Sequence, residues 1–127
     1  MRLALDANRY DDLVTGDSSV ADVIEQAEAV YLPFVVVGEL RAGFAVGRRQ
    51  AENERLLRRL LAKDGVELLL ADEQTTHHYA AVYAQLRRQG TPIPTNDMWI
   101  AALVLEHDLV LYTRDRRFEH LPQVLRV

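Results

Sequence analysis

Four carboxylate side chains occur within or beside apolar stretches of the chain, where a solvated surface acid is not expected. Asp6 ends an apolar run at the amino terminus, Glu39 and Asp97 lie inside apolar segments, and Asp115 follows another such run closely. A carboxylate buried by neighbours of this kind must be paired, protonated or bound to a cation. The pattern therefore indicates a cluster of acids that serves a purpose other than solubility.

Electrostatic repulsion favours the cation. Two carboxylates about 4 Å apart repel each other by about 4 kcal/mol at an effective dielectric constant of about 20, and a larger cluster repels more. Oxygen ligands select hard ions, and Mg²⁺ or Mn²⁺ held by a few carboxylates still admits phosphate oxygens. Such a site can activate water for hydrolysis of a phosphodiester, with one metal ion or with two.

Other site chemistries receive little support. The chain contains no cysteine, which excludes disulfides, thiolate zinc sites and cysteine nucleophiles. No two histidines are spaced to share one helical face as a metal pair, and none of the four is expected to be a ligand or a base: His77, His78, His107 and His120.

Each acid also has an ordinary structural explanation. Asp6 could be a turn residue at the end of a strand, and Asp97 could stabilise the first turn of a helix through the helix dipole. Glu39 could pair with Arg41 or with a more distant arginine, and Asp115 could form an exposed ion pair. Four independent explanations are less probable together than one shared site.

The bases are almost all arginine, Lys63 being the only lysine, and several are clustered. Clusters of this kind are typical of solvated helix faces. Near a site, however, guanidinium groups bind phosphates bidentately. Arg114, Arg116 and Arg117 flank Asp115, so they are candidates for holding the phosphates of a substrate.

The spacing of apolar residues predicts the elements that position the acids. Strands are predicted at Arg2–Leu5, Ala29–Leu32, Val66–Leu70 and Leu109–Tyr112, with a short fifth at Val124–Val127. After a loop that follows the first strand, a helix capped by Ser18-Ser19 is expected, and another begins at Pro33.

Three more helices are predicted in the second half. They are an amphipathic helix over Gln50–Lys63, one capped by Asp72 that ends at Gly90, and one capped by Thr95-Asn96 that is apolar almost all round. Short apolar strands that alternate with helices indicate a parallel sheet covered on both faces, which binds ligands beyond the carboxyl ends of its strands.

Composition sets the broad class. The 127 residues are 49% hydrophobic and 27% charged, with a net charge of −4, so we expect one soluble α/β domain over residues 1–127. The acidic balance argues against duplex nucleic acid held by charge alone. Apolar runs are far shorter than the ~20 residues of a bilayer span, and the early Asp6 does not suit a signal peptide, so a cytoplasmic location is expected.

At its acids the sequence resembles the PIN-domain ribonucleases, and within them the VapC-type toxins of bacterial toxin–antitoxin pairs. Four segments, in the family's order and spacing, carry the resemblance: Leu5-Asp6-Ala7-Asn8, Pro33 with Gly38-Glu39-Leu40 and Gly43, Asn96–Ala102, and Thr113–Phe118. One departure is Ala7, where the family usually has threonine, and it removes one hydroxyl beside the site.

The resemblance implies a three-layer α/β/α fold with a mainly parallel sheet of four to five strands. It also implies a catalytic metal cluster for Mg²⁺ or Mn²⁺, namely Asp6, Glu39, Asp97 and Asp115, with Asn8 and Thr113 orienting these ligands. The implied activity is endonucleolytic cleavage of RNA, inhibited by a small VapB-type antitoxin, and the implied assembly is a homodimer.

Competing hypotheses remain at this point. One is a PIN-like module that binds RNA or a partner without cleaving, and another is a general PIN nuclease that is not a toxin. A phosphotransfer or receiver domain is less well supported, because Asp6-Ala7-Asn8 lacks the second acid of an Asp-x-Asp motif and Lys63 lies in a surface-like helix.

Overall fold

The computed structural model describes residues 1–127 and contains one sheet of four strands. The strands are β1 (Arg2–Leu5), β2 (Ala29–Pro33), β3 (Val66–Leu69) and β4 (Val110–Tyr112). Their order across the sheet is β3-β2-β1-β4, and every pairing is parallel. The predicted parallel sheet is confirmed.

Six α-helices and one short 3₁₀ helix complete a three-layer α/β/α arrangement, as predicted. The α-helices are α1 (Ala7–Val14), α2 (Ser18–Gln26), α3 (Phe34–Val46), α4 (Gln50–Leu61), α5 (Glu73–Gln89) and α6 (Thr95–Glu106), and the 3₁₀ helix is Arg116–His120. No helix is both long and apolar enough to cross a membrane.

The order in which strands are added to the sheet reverses at β1. The chain adds β2 and β3 on one side of β1 and then places β4 on the other side, with Leu5 opposite Tyr112 at the carboxyl end. In open parallel sheets this switch point leaves a crevice outside the strand ends. Asp6 directly follows β1 and Thr113 directly follows β4, so these two residues lie side by side at the crevice.

The core explains why α6 is apolar on all sides. Ile100 to Leu103 are fully shielded from solvent, because α6 is covered by its neighbours in the layer as well as by the rest of the core. Leucines of the amphipathic helix α4 also turn inward, with Leu57 at 0% and Leu60 at 7% exposure. These two leucines therefore belong to the core and are not available to an interface.

The region after β1 differs from the prediction. Residues Ala7–Val14, expected as a loop, form α1, whose first turn is capped by the Asp6 side chain. Tyr10 and Leu13 lie three residues apart and face the core, so a short helical pattern was present in the sequence.

Two predicted caps and one predicted strand are wrong. The helix expected to be capped by Ser18-Ser19 is capped by Asp17, which accepts from the Ser19 and Val20 N–H groups. Thr95 and Asn96 belong to α6, which has no side-chain cap. The expected fifth strand, Val124–Val127, makes only an isolated bridge between Leu111 and Arg126.

Other helix ends follow the sequence closely. Asp72 caps α5 in a capping box with Thr75, and Gly90 ends this helix with a φ of 71° that favours glycine. The Gln50–Lys63 helix ends slightly earlier than predicted, at Leu61.

Candidate active site

Asp6 is held in a fixed orientation at the end of β1. It is 6% exposed, and its Oδ1 accepts from the Ala7 backbone N–H at 2.8 Å. Its Oδ2 accepts from the Thr113 hydroxyl at 2.7 Å and from Asn8 Nδ2 at 3.4 Å. Both oxygens are thus positioned before any ligand binds.

Thr113 and Asn8 link the ends of β1 and β4. The Thr113 oxygen accepts from Asn8 Nδ2 at 3.1 Å and from the Asp115 backbone N–H at 3.0 Å. Asn8 Oδ1 in turn accepts from the Arg114 backbone N–H at 3.2 Å. The two residues contact Asp6 and the loop that carries Asp115, which is the placement expected of residues that orient ligands.

Asp97 is the most perturbed acid of the site. It lies in the first turn of α6, its side chain is 10% exposed, and its Oδ2 is buried without a hydrogen-bond partner. Burial raises the pKa of Asp97 to about 6; Arg117 opposes this effect, while Asp115 and Asp6 add to it. A buried carboxylate with an unsatisfied oxygen is costly unless a cation reaches it.

Glu39 lies in the second turn of α3 and is more exposed than the sequence suggested. Partial burial raises the pKa of its carboxyl, and the charges of Asp6 and Asp97 raise it further, so the side chain lies within the field of the other acids. It does not pair with Arg41, which binds Glu54 with bonds of 2.9 and 3.0 Å.

Asp115 is half-buried and caps the 3₁₀ helix. It accepts from the Arg117 backbone N–H at 2.9 Å, and the Arg117 guanidinium lies on the same carboxylate, with Nη2 at 2.7 Å from Oδ2. The Arg117 hydrogen bond holds the pKa of Asp115 below its usual range. The same guanidinium lies 3.6 Å from Asp97 Oδ2, which makes Arg117 part of the acid cluster.

The other two candidate RNA-binding arginines point to different partners. Arg114 forms a two-pronged ion pair with Asp12, at 3.0 and 3.1 Å, and Arg116 pairs loosely with Glu119 at 3.4 Å. Asp12 also accepts from Arg9 at 3.2 Å. The sequence did not single out Asp12, because its role depends on α1, which was expected to be a loop.

A shallow pocket of about 460 Å³ has Glu39, one of the four acids, in its lining. Glu39 and Asn96 line its polar side, and Phe34 and Trp99 line its apolar side. The Trp99 ring is stacked on Tyr79 with ring centres 4.1 Å apart, which fixes the apolar wall.

The donor set fits a hard divalent ion. Its ligands would be carboxylate oxygens without sulfur, and the unpartnered Asp97 Oδ2 is available to a cation. As the side chains stand, no group of three or more acids or histidines is close enough to hold an ion together. Closure around an ion therefore requires side-chain movement, and Arg117 is the group that now lies among these oxygens.

Comparison with known proteins identifies the family of this chain. Residues 12–124 match the model of the PIN domain. The chain is 38% identical over 92 residues to the plasmid stability protein StbB of Pseudomonas syringae pv. tomato, a match that covers 69% of this chain and 66% of that protein. It is 30% identical over 90 residues to ribonuclease VapC4 of Mycobacterium tuberculosis, covering 71% and 69% of the two chains.

A solved structure agrees over the full length. VapBC-1 from nontypeable Haemophilus influenzae matches with a TM-score of 0.88 and 26% identity, covering 100% of this chain and 97% of that one. Glu39, Asp97 and Asp115 fall within the residues that match the family model, and Asp6 precedes them. The chain therefore belongs to the PIN-domain family and is similar to its VapC-type ribonucleases.

Proposed function

We propose that this protein is a metal-dependent endoribonuclease that acts as the toxin of a toxin–antitoxin pair. The observation that carries the proposal is the buried, unpartnered carboxylate oxygen of Asp97 in the field of Asp6, Glu39 and Asp115. Such a cluster is unfavourable for stability and favourable for binding a divalent ion. The similarity to ribonuclease VapC4 described above supports RNA as the substrate.

Asp6, Glu39, Asp97 and Asp115 would hold Mg²⁺ or Mn²⁺. The chemistry supplied by such an ion is activation of water and neutralisation of the charge that develops on the phosphate during hydrolysis. Loss of any one of these four acids should weaken ion binding, because each would supply ligand oxygens.

The protein's own groups prepare the site. Thr113 and the Ala7 N–H hold the two oxygens of Asp6, so no reorientation of this carboxylate is needed when RNA arrives. Asn8 ties the Arg114 backbone to the same network and thereby positions the loop that carries Asp115. Exposed guanidinium groups on this loop, Arg116 foremost, would contact phosphates beside the scissile bond.

The direct test is cleavage of total RNA by the purified protein in Mg²⁺, in Mn²⁺ and in EDTA. We expect cleavage with either ion, none in EDTA, and none from Asp6→Ala. Asp22→Ala, which replaces an exposed acid on α2, is the matched control and should cleave like wild type. Cleavage in EDTA, or by Asp6→Ala, would contradict the proposal.

One observation favours a second candidate, a module that binds RNA or a partner without cleaving. Arg117 already neutralises part of the acid cluster, so the site can exist without an ion. The same assay separates the two functions, because the binding module would retain RNA without shortening it. A general PIN nuclease that is not a toxin would cleave RNA but leave growth unaffected when expressed alone.

A VapB-type antitoxin is the proposed inhibitor, supported by the VapBC structure that the fold matches. An arginine from the antitoxin would lie across the site carboxylates, and its apolar residues would pack near Phe44 and Leu56, which are half-buried. Leu40, which lies on the same helix as Phe44, is only 6% exposed and so offers little surface to the antitoxin. We expect expression of the chain alone to arrest growth and co-expression of an adjacent antitoxin gene to restore it.

We also propose that the chain is a single domain over residues 1–127. It would form a homodimer and act in the cytoplasm. Exposed apolar side chains support an interface between two copies, among them Phe34 at 38%, Tyr83 at 47% and Val46 at 89% exposure. Sedimentation should give about twice the 14.5 kDa mass of one chain at micromolar concentration. A species of single-chain mass alone would contradict the dimer.

A further inference from the structure

Arg117 occupies the acid cluster from within the chain. Its Nε lies 3.1 Å from both oxygens of Asp115, its Nη2 lies 2.7 Å from Asp115 Oδ2, and its Nε lies 3.6 Å from Asp97 Oδ2. The first three contacts are hydrogen bonds, whereas the last is too long for one. The guanidinium therefore satisfies Asp115 and only neutralises Asp97.

The neighbouring arginines do not share this position. Arg114 is engaged by Asp12 and Arg116 by Glu119, so Arg117 is the member of the trio that reaches the site acids. Its side chain is 55% exposed, while the next residue, Phe118, is fully buried. The buried Phe118 anchors the 3₁₀ helix, and the Arg117 side chain can leave the acids for solvent without movement of the backbone.

We infer that Arg117 is a positioning residue that serves as the resident counter-cation of the site. It holds Asp97 and Asp115 while no divalent ion is bound, and it must withdraw from them before their oxygens can bind one. This inference rests on the proposed function, because the competing ion is the one that the nuclease would use. The exchange is purely electrostatic and changes no covalent bond.

The geometry determines where the exchange begins. Asp97 Oδ2 has no hydrogen bond to lose, so it is the oxygen at which an incoming ion meets least competition. Asp115 must give up three side-chain contacts with Arg117, so its transfer to the ion is the step that Arg117 opposes. Removing the guanidinium should thus strengthen ion binding, which a merely structural role for Arg117 would not do.

The test is calorimetric titration of Mn²⁺ into wild type, Arg117→Met and Arg88→Met. Because a half-exposed ion pair is a modest competitor, we expect Arg117→Met to bind Mn²⁺ about three- to tenfold more tightly than wild type. Arg88→Met, which replaces an exposed arginine on α5 away from the acids, is the control and should bind Mn²⁺ like wild type. Arg117→Lys keeps the charge but not the planar fork, so its Mn²⁺ affinity should lie between those of wild type and Arg117→Met.

Thermal unfolding provides a second readout that also reports whether each variant is folded. Without metal, Arg117→Met should melt at a lower temperature than wild type, because the acids lose their counter-cation, and Mn²⁺ should raise its melting temperature by more than it raises that of wild type. Arg117→Gln provides a second neutral variant if the methionine variant does not fold. Equal or weaker Mn²⁺ binding by the folded neutral variants would overturn the inference.

Cleavage of RNA by wild type, measured separately, distinguishes the two proposals. Intact cleavage together with unchanged Mn²⁺ affinity in Arg117→Met would overturn the role of Arg117 alone. Tighter Mn²⁺ binding by Arg117→Met with no cleavage by wild type would support this role and overturn the nuclease.

Discussion

Replacement of Asp97 by asparagine isolates the electrostatic cost of the site. The side chain is 10% exposed, and its Oδ2 has no hydrogen-bond partner. Asparagine has nearly the same shape but carries no charge, so it removes the buried negative charge and one metal ligand together. We expect Asp97→Asn to abolish RNA cleavage and, in metal-free buffer, to be more stable than wild type.

The magnitude follows from the pKa of Asp97, which burial raises from 3.8 to about 6. Below pH 3.8 the carboxyl is protonated in both the folded and the unfolded chain and carries no penalty. Between pH 3.8 and about 6 the unfolded chain ionises this carboxyl while the folded chain keeps it protonated, so stability falls as the pH rises, and the loss is complete above about 6. At about 1.4 kcal/mol per pH unit, the rise in pKa from 3.8 to about 6 lowers the free energy of unfolding by at most about 3 kcal/mol at neutral pH.

The expected gain for Asp97→Asn is smaller than this limit, because the asparagine amide is buried in the same place and also loses its hydration. We expect about 1–3 kcal/mol at pH 7.5, which corresponds to a rise in melting temperature of about 3–15 °C for a domain of this size. The gain should shrink as the pH falls from 6 to 4.

Thermal unfolding in EDTA at pH 7.5 and at pH 4 measures this difference, with Asp22→Asn as a control for an exposed acid. Addition of Mg²⁺ should then stabilise wild type more than Asp97→Asn, since only the complete site binds the ion well. Two results would refute the reasoning: a destabilised variant at pH 7.5, or a gain of equal size at both pH values.

Three further predictions concern the surroundings of the acids. Thr113→Val should lower the free energy of unfolding by about 1–3 kcal/mol in urea, because the hydroxyl bonds to buried Asp6, and the exposed control Thr76→Val should change it little. Glu39→Ala should weaken the complex with a VapB-type antitoxin in calorimetry, and an unchanged affinity would remove this acid from the interface. Arg116→Ala should reduce the salt dependence of binding to single-stranded RNA by about 0.7 log units per log salt, whereas an unchanged slope would assign the side chain to the solvated surface.

The sheet and the strand-end residues were predictable because the relevant signals are local. Each central strand is a short apolar run, and the residue that follows it is fixed at the carboxyl edge of a parallel sheet. Asp6 and Asp115 could therefore be expected near one crevice from the sequence, and Asp6 is joined there by Thr113. Their 2.7 Å hydrogen bond depends in addition on the register of Leu5 with Tyr112, which no local pattern specifies.

The partners of the charged residues were not predictable, because ion pairs join segments far apart in the chain. Arg114 binds Asp12, which comes about a hundred residues earlier, and Arg41 binds Glu54 rather than Glu39. The exposure of Glu39 was also missed, since apolar neighbours in a helix do not bury every residue between them. Local sequence thus located the acids but not the cations that accompany them.

The arrangement of charges is itself an argument for function over stability. A domain of this kind has a total stability of about 5–15 kcal/mol, and ionised Asp97 alone would remove up to about 3 kcal/mol of it. The attraction of Arg117 is already included in this cost, yet Arg117 lies 3.6 Å from Asp97 Oδ2 and leaves this oxygen without a hydrogen bond. A chain shaped by stability alone would have a neutral side chain at position 97, so the buried carboxylate supports the proposal that a cation binds it more closely than Arg117 does.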